Sequence, residues 1–180
     1  ATGHGMTAGM MVSITKAGLM GSPNDIPPDE VTFGLNRIIK DIELGKNKMA
    51  LNVARFWPDR VEFTSAAMPP VYHYKGKTGE VDELLLEGLP LGSFKGETYS
   101  LVTLDSKVGD AFIFLSDGLP EVENHNGEML GYKAVLECIK NNGSLSAEEI
   151  KQALFDLGTA WLDGLQNQDD ITIVVIKKEK

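Results

Sequence analysis

Cysteine is almost absent from this chain: Cys138 is the single thiol in 180 residues. A lone cysteine excludes an internal disulfide, and with three scattered histidines it leaves too few ligands for a structural zinc site. A reducing, cytoplasmic setting is the expectation that follows. Long hydrophobic runs are missing as well. No apolar stretch nears the roughly 20 residues that a membrane helix needs. Met10 to Leu19 is too short for a signal peptide and is broken by Ser13, Thr15 and Lys16. The chain therefore reads as soluble, with no membrane insertion by this segment. Basic residues are in the minority, 17 Lys and Arg against 26 Asp and Glu, for a net charge of -9. That balance argues against nucleic-acid binding, which needs a basic face, and suits a protein that concentrates cations. Neither a Gly-x-x-x-x-Gly-Lys phosphate loop nor a Gly-x-Ser-x-Gly elbow is present. P-loop chemistry is excluded, and a serine hydrolase has little support.

What the chain does contain is ordinary globular composition, 42% hydrophobic and 24% charged residues, in a length that suits one domain over residues 1–180. It begins without methionine inside a glycine-rich stretch, Ala1-Thr2-Gly3-His4-Gly5. It is expected to be an N-terminally truncated piece of something longer.

Helices and strands follow from periodicity. Thr7 to Met20 is small and apolar nearly all round, which predicts a helix buried against other elements, with its N-terminus facing the glycine loop. Pro28-Asp29-Glu30 opens a second helix with Val31, Leu35, Ile38 and Ile42 on one face and Gly45 as its stop. From Met49 the period becomes two, and the Trp57 to Arg60 turn leads into Val61 to Thr64. Val71 to Tyr74 and Val81 to Leu86 form a hairpin around Gly76 to Gly79, and Tyr99 to Leu104 is a further strand, together an antiparallel meander. Tyr132, Val135, Leu136 and Ile139 share a helical face. Ser146 to Glu149 is a capping box ahead of Ile150, Leu154, Leu157 and Trp161. Ile171 to Ile176 is the last strand, followed by a solvated Lys-Lys-Glu-Lys tail. Helices bracketing antiparallel strands make an α+β sandwich.

The chemistry centres on Ala111 to Gly118, five apolar residues closed by Ser116-Asp117-Gly118. Such a run is a strand buried on both faces that delivers Asp117 at its mouth. Asp169-Asp170 stands before the last strand, and the two strands are expected to bring their acids to one metal site. Each acid alone is also good turn chemistry. Together they point to an oxygen-only site for Mg²⁺ or Mn²⁺, because neighbouring carboxylates repel unless a cation separates them. His4, flanked by Gly3 and Gly5, reads alone as a loop histidine. His73 and His125 receive no role.

Five stretches, taken in order, resemble one family: Ala1-Thr2-Gly3-His4-Gly5-Met6-Thr7-Ala8, Gly88-Leu89-Pro90-Leu91-Gly92, Gly109-Asp110, Ser116-Asp117-Gly118-Leu119-Pro120-Glu121 and Asp169-Asp170-Ile171-Thr172. They are similar to the bacterial SpoIIE branch of the metal-dependent protein phosphatases, related to protein phosphatase 2C. The resemblance covers essentially the whole chain. It implies an α-β-β-α sandwich of two antiparallel sheets flanked by helices, here lacking its N-terminal strands, with a two-metal site. By that likeness Asp117 and Asp169 bind metal, the Gly118 and Ala1 carbonyls assist, and Asp170 is a neighbour or a ligand to an extra ion. His4 would protonate the leaving oxygen. The activity implied is hydrolysis of phosphoserine or phosphothreonine in a protein, an anti-anti-sigma-type factor, with a sensor domain upstream in the parent chain and a homodimer as the expected assembly.

Two departures matter. The family's bridging aspartate precedes the glycine loop, one residue before Ala1. Ser65-Ala66-Ala67-Met68-Pro69-Pro70 replaces an Asn-Ala-Gly-His-Pro-type stretch, a change at a loop or the substrate edge. The rival readings are a catalytically impaired regulatory or partner-binding module of the same fold, and a metal-binding domain without phosphatase chemistry.

Overall fold

The computed structural model describes residues 1, 3, 5–167 and 169–180. In chain order the elements are α1 (Met6–Gly21), α2 (Pro28–Ile42), β1 (Leu51–Phe56), β2 (Arg60–Ala66), β3 (Val71–Tyr74), β4 (Val81–Leu84), β5 (Val102–Asp105), β6 (Ala111–Leu115), α3 (Gly131–Asn142), α4 (Ala147–Leu162) and β7 (Ile173–Lys177). This is the expected α+β class, four helices with two antiparallel sheets. The strands are not a simple meander. β2 pairs with β5 and β3 with β6, so the β1-β2 and β3-β4 hairpins go to different sheets and β5 returns to the first. The chain divides into two compact units, Ala1–Met68 with Leu86–Asp105, and Pro69–Leu85 with Ser106–Lys180.

In the first unit, α1, α2 and the β1-β2-β5 sheet enclose Met11, Val31, Leu35, Ile39, Ala66, Leu91 and Tyr99. The buried stripe of α2 is Val31, Leu35 and Ile39, whereas Ile38 and Ile42 are exposed. Polar contacts decide between these neighbours: Asn36 Oδ1 accepts from the Gly92 amide at 2.8 Å and its Nδ2 donates to the Phe94 carbonyl at 2.8 Å. α1 departs from expectation. Only Met11 and Thr15 are buried, and Met6, Met10, Val12, Leu19 and Met20 are exposed. α2 covers one stripe of it, and the Thr15 hydroxyl meets Met49 Sδ at 3.1 Å. At the end of β2, Ala67 has φ 57°, left-handed backbone closed by the Met68 amide on Ser65 Oγ.

In the second unit the sheet order is β4-β3-β6-β7. β6 is central, and Ala111, Phe112, Ile113 and Leu115 are buried, as a continuous apolar run requires. Val135 and Ile139 of α3 and Ile150 and Leu154 of α4 pack with Tyr72, Ile113 and Leu115. Burying each such side chain contributes about 1.5–3 kcal/mol. The capping box of α4 is formed: Glu149 N–H donates to Ser146 Oγ, and Ser146 N–H donates to Glu149 Oε2. The lysine tail is not simply solvated. Lys177 Nζ donates to the Gly143 carbonyl at 2.9 Å, and Lys178 Nζ donates to the Ser106 carbonyl at 2.7 Å. Partial burial pushes the Lys177 ammonium below its ordinary value.

A buried acid holds the start of β6. Asp110 Oδ1 accepts from the Gly76 amide at 2.9 Å, and Oδ2 accepts from the Lys107 amide at 2.9 Å and stands 3.2 Å from His73 Nε2. The His73 ring stacks on Phe112 at 4.4 Å. Gly76 and Gly109 touch backbone to backbone, since a Cβ on Gly76 would lie 2.3 Å from the Gly109 carbonyl carbon. Burial works to raise the Asp110 carboxyl, but the two amides and His73 outweigh it and hold the group below its ordinary value.

Two outcomes are expected. A depressed folded-state value means that the stabilisation by Asp110 is complete above the unfolded carboxyl value of about 3.9 and is lost as pH falls through the folded one. Asp110→Asn should therefore cost about 2 kcal/mol at neutral pH, with the gap to the parent narrowing below about pH 4, in urea unfolding followed across pH. Ala67→Gly removes left-handed strain from an exposed residue and should raise stability by about 1 kcal/mol, seen as a higher urea midpoint with an unchanged slope.

Candidate active site

Where β6 runs out, its ladder to β7 passes from main chain to a side chain. Ser116 N–H donates to the Thr172 carbonyl at 3.0 Å. The Ser116 hydroxyl then donates to the Asp170 carbonyl at 3.2 Å and accepts from the Thr172 amide at 2.9 Å. This substitution explains why the last strand begins at Ile173, not Ile171 as its apolar pattern predicts. Two residues on, Gly118 is buried, and a Cβ there would lie 2.3 Å from the Asp170 carbonyl oxygen. Only a glycine lets the chains close. Gly118 and Asp170 are thereby brought backbone to backbone at one end of the sheet, with Asp117 and Asp169 each one residue away in the chain.

All three of these acids are exposed. The Asp117 carbonyl accepts the Glu121 amide at 3.0 Å, which turns the chain away from the strand. Asp169 Oδ1 accepts the Asp170 amide at 2.8 Å, and the Asp169 carbonyl accepts from Asn167 Nδ2. The local field is negative: burial first, and then Glu121, Asp117 and Glu83, hold the Tyr132 phenol above its ordinary value. Among the described residues, no three His, Cys, Asp or Glu side chains stand together as a ready-made metal cluster. The donor chemistry nevertheless fits a hard divalent ion. It is oxygen-only and solvent-facing, and Mg²⁺ characteristically takes one or two carboxylates and completes its shell with water. Ala1 is exposed and belongs to the first unit. His4 lies outside the described residues.

Beside these acids opens a cleft of about 560 Å³, with Gly118 and Asp169 among its lining residues. One wall is a short hairpin, residues 120–131, with Glu123 bridged to Met129. Asn124 builds its tip: Oδ1 accepts from the Asn126 and Glu128 amides at 2.9 and 3.1 Å. Leu130 N–H donates to the Val122 carbonyl and Gly131 N–H to the Pro120 carbonyl. The hairpin is tied to the end of α4 by Trp161 Nε1, which donates to the Glu128 carbonyl at 2.9 Å, and by His125 Nε2, 3.1 Å from the Asp163 carbonyl. His125 thus has a structural contact that its place in a turn did not reveal.

Gly118→Ala should force the strand ends apart and lower stability by about 1–3 kcal/mol, measured by urea unfolding. Gly127→Ala, with no neighbour within 4 Å of the added carbon but φ +74°, serves as a control for strain without crowding.

The comparisons with known proteins bear on the fold and the family. The phosphoserine phosphatase RsbU of Bacillus subtilis is 26% identical over 180 residues, 98% of this chain and 53% of RsbU, so the chain spans about half the length of that relative. The SiaA-PP2C domain of Pseudomonas aeruginosa matches with a TM-score of 0.82 and 17% identity, over 99% of this chain and 73% of that one. The catalytic domain of the serine threonine protein phosphatase PstP, solved in complex with 2 manganese ions, matches at 0.66 and 16% identity, over 93% and 80%. At such identities these structures speak for the fold, that of PP2C-type phosphatases. The model of the family described as Stage II sporulation protein E (SpoIIE) matches residues 1–179, and on that near-complete match the chain belongs to the SpoIIE family.

Proposed function

We propose that this chain hydrolyses phosphoserine or phosphothreonine in a protein substrate, using water activated by Mn²⁺ or Mg²⁺, with two ions in the working site. The observation that supports this reading is the locked closure of the end of β6 on the approach to β7, through Ser116, Gly118 and the Asp170 carbonyl, in a chain of the SpoIIE family. The manganese ions of PstP and the phosphoserine activity in the name of RsbU support it.

When bound, divalent ions lower the pKa of a coordinated water and neutralise phosphoryl oxygens. Asp117 and Asp169 would supply the anionic oxygens that hold them, the Gly118 and Ala1 carbonyls would supply neutral ones, and Asp170 would add a carboxylate for an extra ion. Water activated in this way would be suited to in-line attack on phosphorus with departure of the serine or threonine oxygen. His4 would give that oxygen its proton. The rigid strand ends keep the acids from rearranging as charge moves, which is where such sites gain most of their rate. The substrate in this reading is an anti-anti-sigma-type regulator, met in the cytoplasm by a homodimer whose parent chain also carries a sensor domain.

Hydrolysis of an aryl phosphate and of a phosphoserine peptide with added Mn²⁺ tests this. Turnover should vanish with EDTA. Asp117→Asn and Asp169→Asn should each lower kcat by about a hundredfold, the scale of removing one electrostatic group from an active site. Electron paramagnetic resonance should show weaker Mn²⁺ binding in the same variants. Metal binding without turnover, in this chain and in a version extended upstream, would leave a regulatory module as the correct reading.

A further inference from the structure

The cleft beside the acids has a chemistry of its own. Among the described residues its charged lining is Glu121, Glu123 and Asp169, with no Lys or Arg. His125, which also lines it, faces the Asp163 carbonyl, with the Asp163 carboxylate 3.8 Å away. Apolar surface comes from Met129, Leu162 and Leu165. A volume of about 560 Å³ lies within the usual range for a ligand pocket, roughly 300–1,000 Å³.

A lining that joins carboxylates to apolar side chains selects among ligands. A phosphate or an acidic peptide is repelled by the carboxylates. A purely aliphatic side chain would cover the apolar part but strip water from the carboxylates without replacing it. Lysine and arginine satisfy both parts, because their stems lie along apolar surface while the charged head reaches an acid. The hydrogen bonds of Asn124, Trp161 and His125 hold the hairpin wall in place before any ligand arrives, so little ordering entropy is lost on binding. Asp169 and Gly118 line this cleft and also belong to the candidate metal site, so its occupant lies within a few residues of the phosphorylated one.

We propose that this cleft is a specificity pocket for a Lys or Arg side chain in the substrate segment next to the phosphorylated serine or threonine. The proposal rests on the phosphatase reading above and adds a substrate property to it. It also gives the net charge of -9 a local use: a phosphorylated segment bearing a basic neighbour meets cations for its phosphate and anions for its side chain within one surface.

The test uses binding and turnover separately. Fluorescence anisotropy is measured on labelled serine peptides that carry Lys, norleucine or Glu at successive positions on either side of the serine. At low salt, Lys at one such position should bind about fivefold tighter than norleucine, and Glu more weakly than either. Glu123→Gln should remove that preference, and Glu123→Lys should reverse it in favour of the Glu peptide. Aryl phosphate hydrolysis with Mn²⁺, which does not use the cleft, should be equal in the parent and Glu123→Gln. Equal affinity for Lys and norleucine at every position, or a preference untouched by Glu123→Gln, overturns the proposal. Absence of aryl phosphate turnover both in this chain and in the version extended upstream, with the Lys preference intact, would instead remove the phosphatase reading and leave the basic-residue pocket standing.

Discussion

Two backbones touch where β6 ends and the approach to β7 begins, and the acids ride on that contact. The absence of a side chain at Gly118 lets the Asp170 carbonyl come within touching distance. The Ser116 hydroxyl, donating on one side and accepting on the other, carries the ladder across the gap where main-chain pairing stops. A mobile loop could hold a carboxylate near this point only at the cost of its conformational entropy. Here part of that entropy is spent in folding the sheet, since Asp117 follows the end of β6 and the Asp170 carbonyl is held by Ser116.

The opposite end of β6 is fixed by different means. Asp110 gathers the Gly76 amide, the Lys107 amide and the His73 ring, so one buried carboxylate holds the β3–β4 turn, the entry to β6 and strand β3 together. Gly76 and Gly109 meet there without side chains, as Gly118 meets Asp170 at the far end. The central strand is therefore clamped twice, and both clamps combine a backbone contact that requires glycine with a polar side chain that takes over main-chain hydrogen bonding. The Gly109-Asp110 pair, visible in the sequence as part of a family pattern, has this structural meaning.

Much of this was legible beforehand, for identifiable reasons. The burial of Ala111 to Leu115 is written in an unbroken apolar run, and Ser146 with Glu149 announces the start of α4 through side chains that can reach only their own helix end. Local chemistry of that kind survives any tertiary context. The exposed face of α1 was not legible, because an all-round apolar helix says nothing about how many neighbours cover it. The choice of Ile39 over Ile38 was settled by Asn36 reaching Gly92 and Phe94, residues far along the chain. Lys177 and Lys178 look like a solvated tail until the carbonyls of Gly143 and Ser106 are brought beside them. Of the site, Asp117 and the Asp169-Asp170 pair stood out in sequence, whereas the cleft did not, since its wall is a hairpin whose rigidity comes from contacts with α4.

The alternation of the chain between its two sheets bears on how the molecule is made. Synthesis is vectorial, and neither compact unit is a continuous stretch: residues 69–85 of the second appear before residues 86–105 complete the first. β2 waits for β5, β3 for β6 and β6 for β7, so each sheet keeps an open edge on the ribosome until a partner emerges much later. Closing such long loops before the contacts reward them slows folding. β6, the most apolar strand, is left without β7 until residue 173 and beyond have been made. The interval during which that edge is bare is set by the helices α3 and α4 that lie between the two strands in the chain, and their folding supplies the first cover that β6 receives.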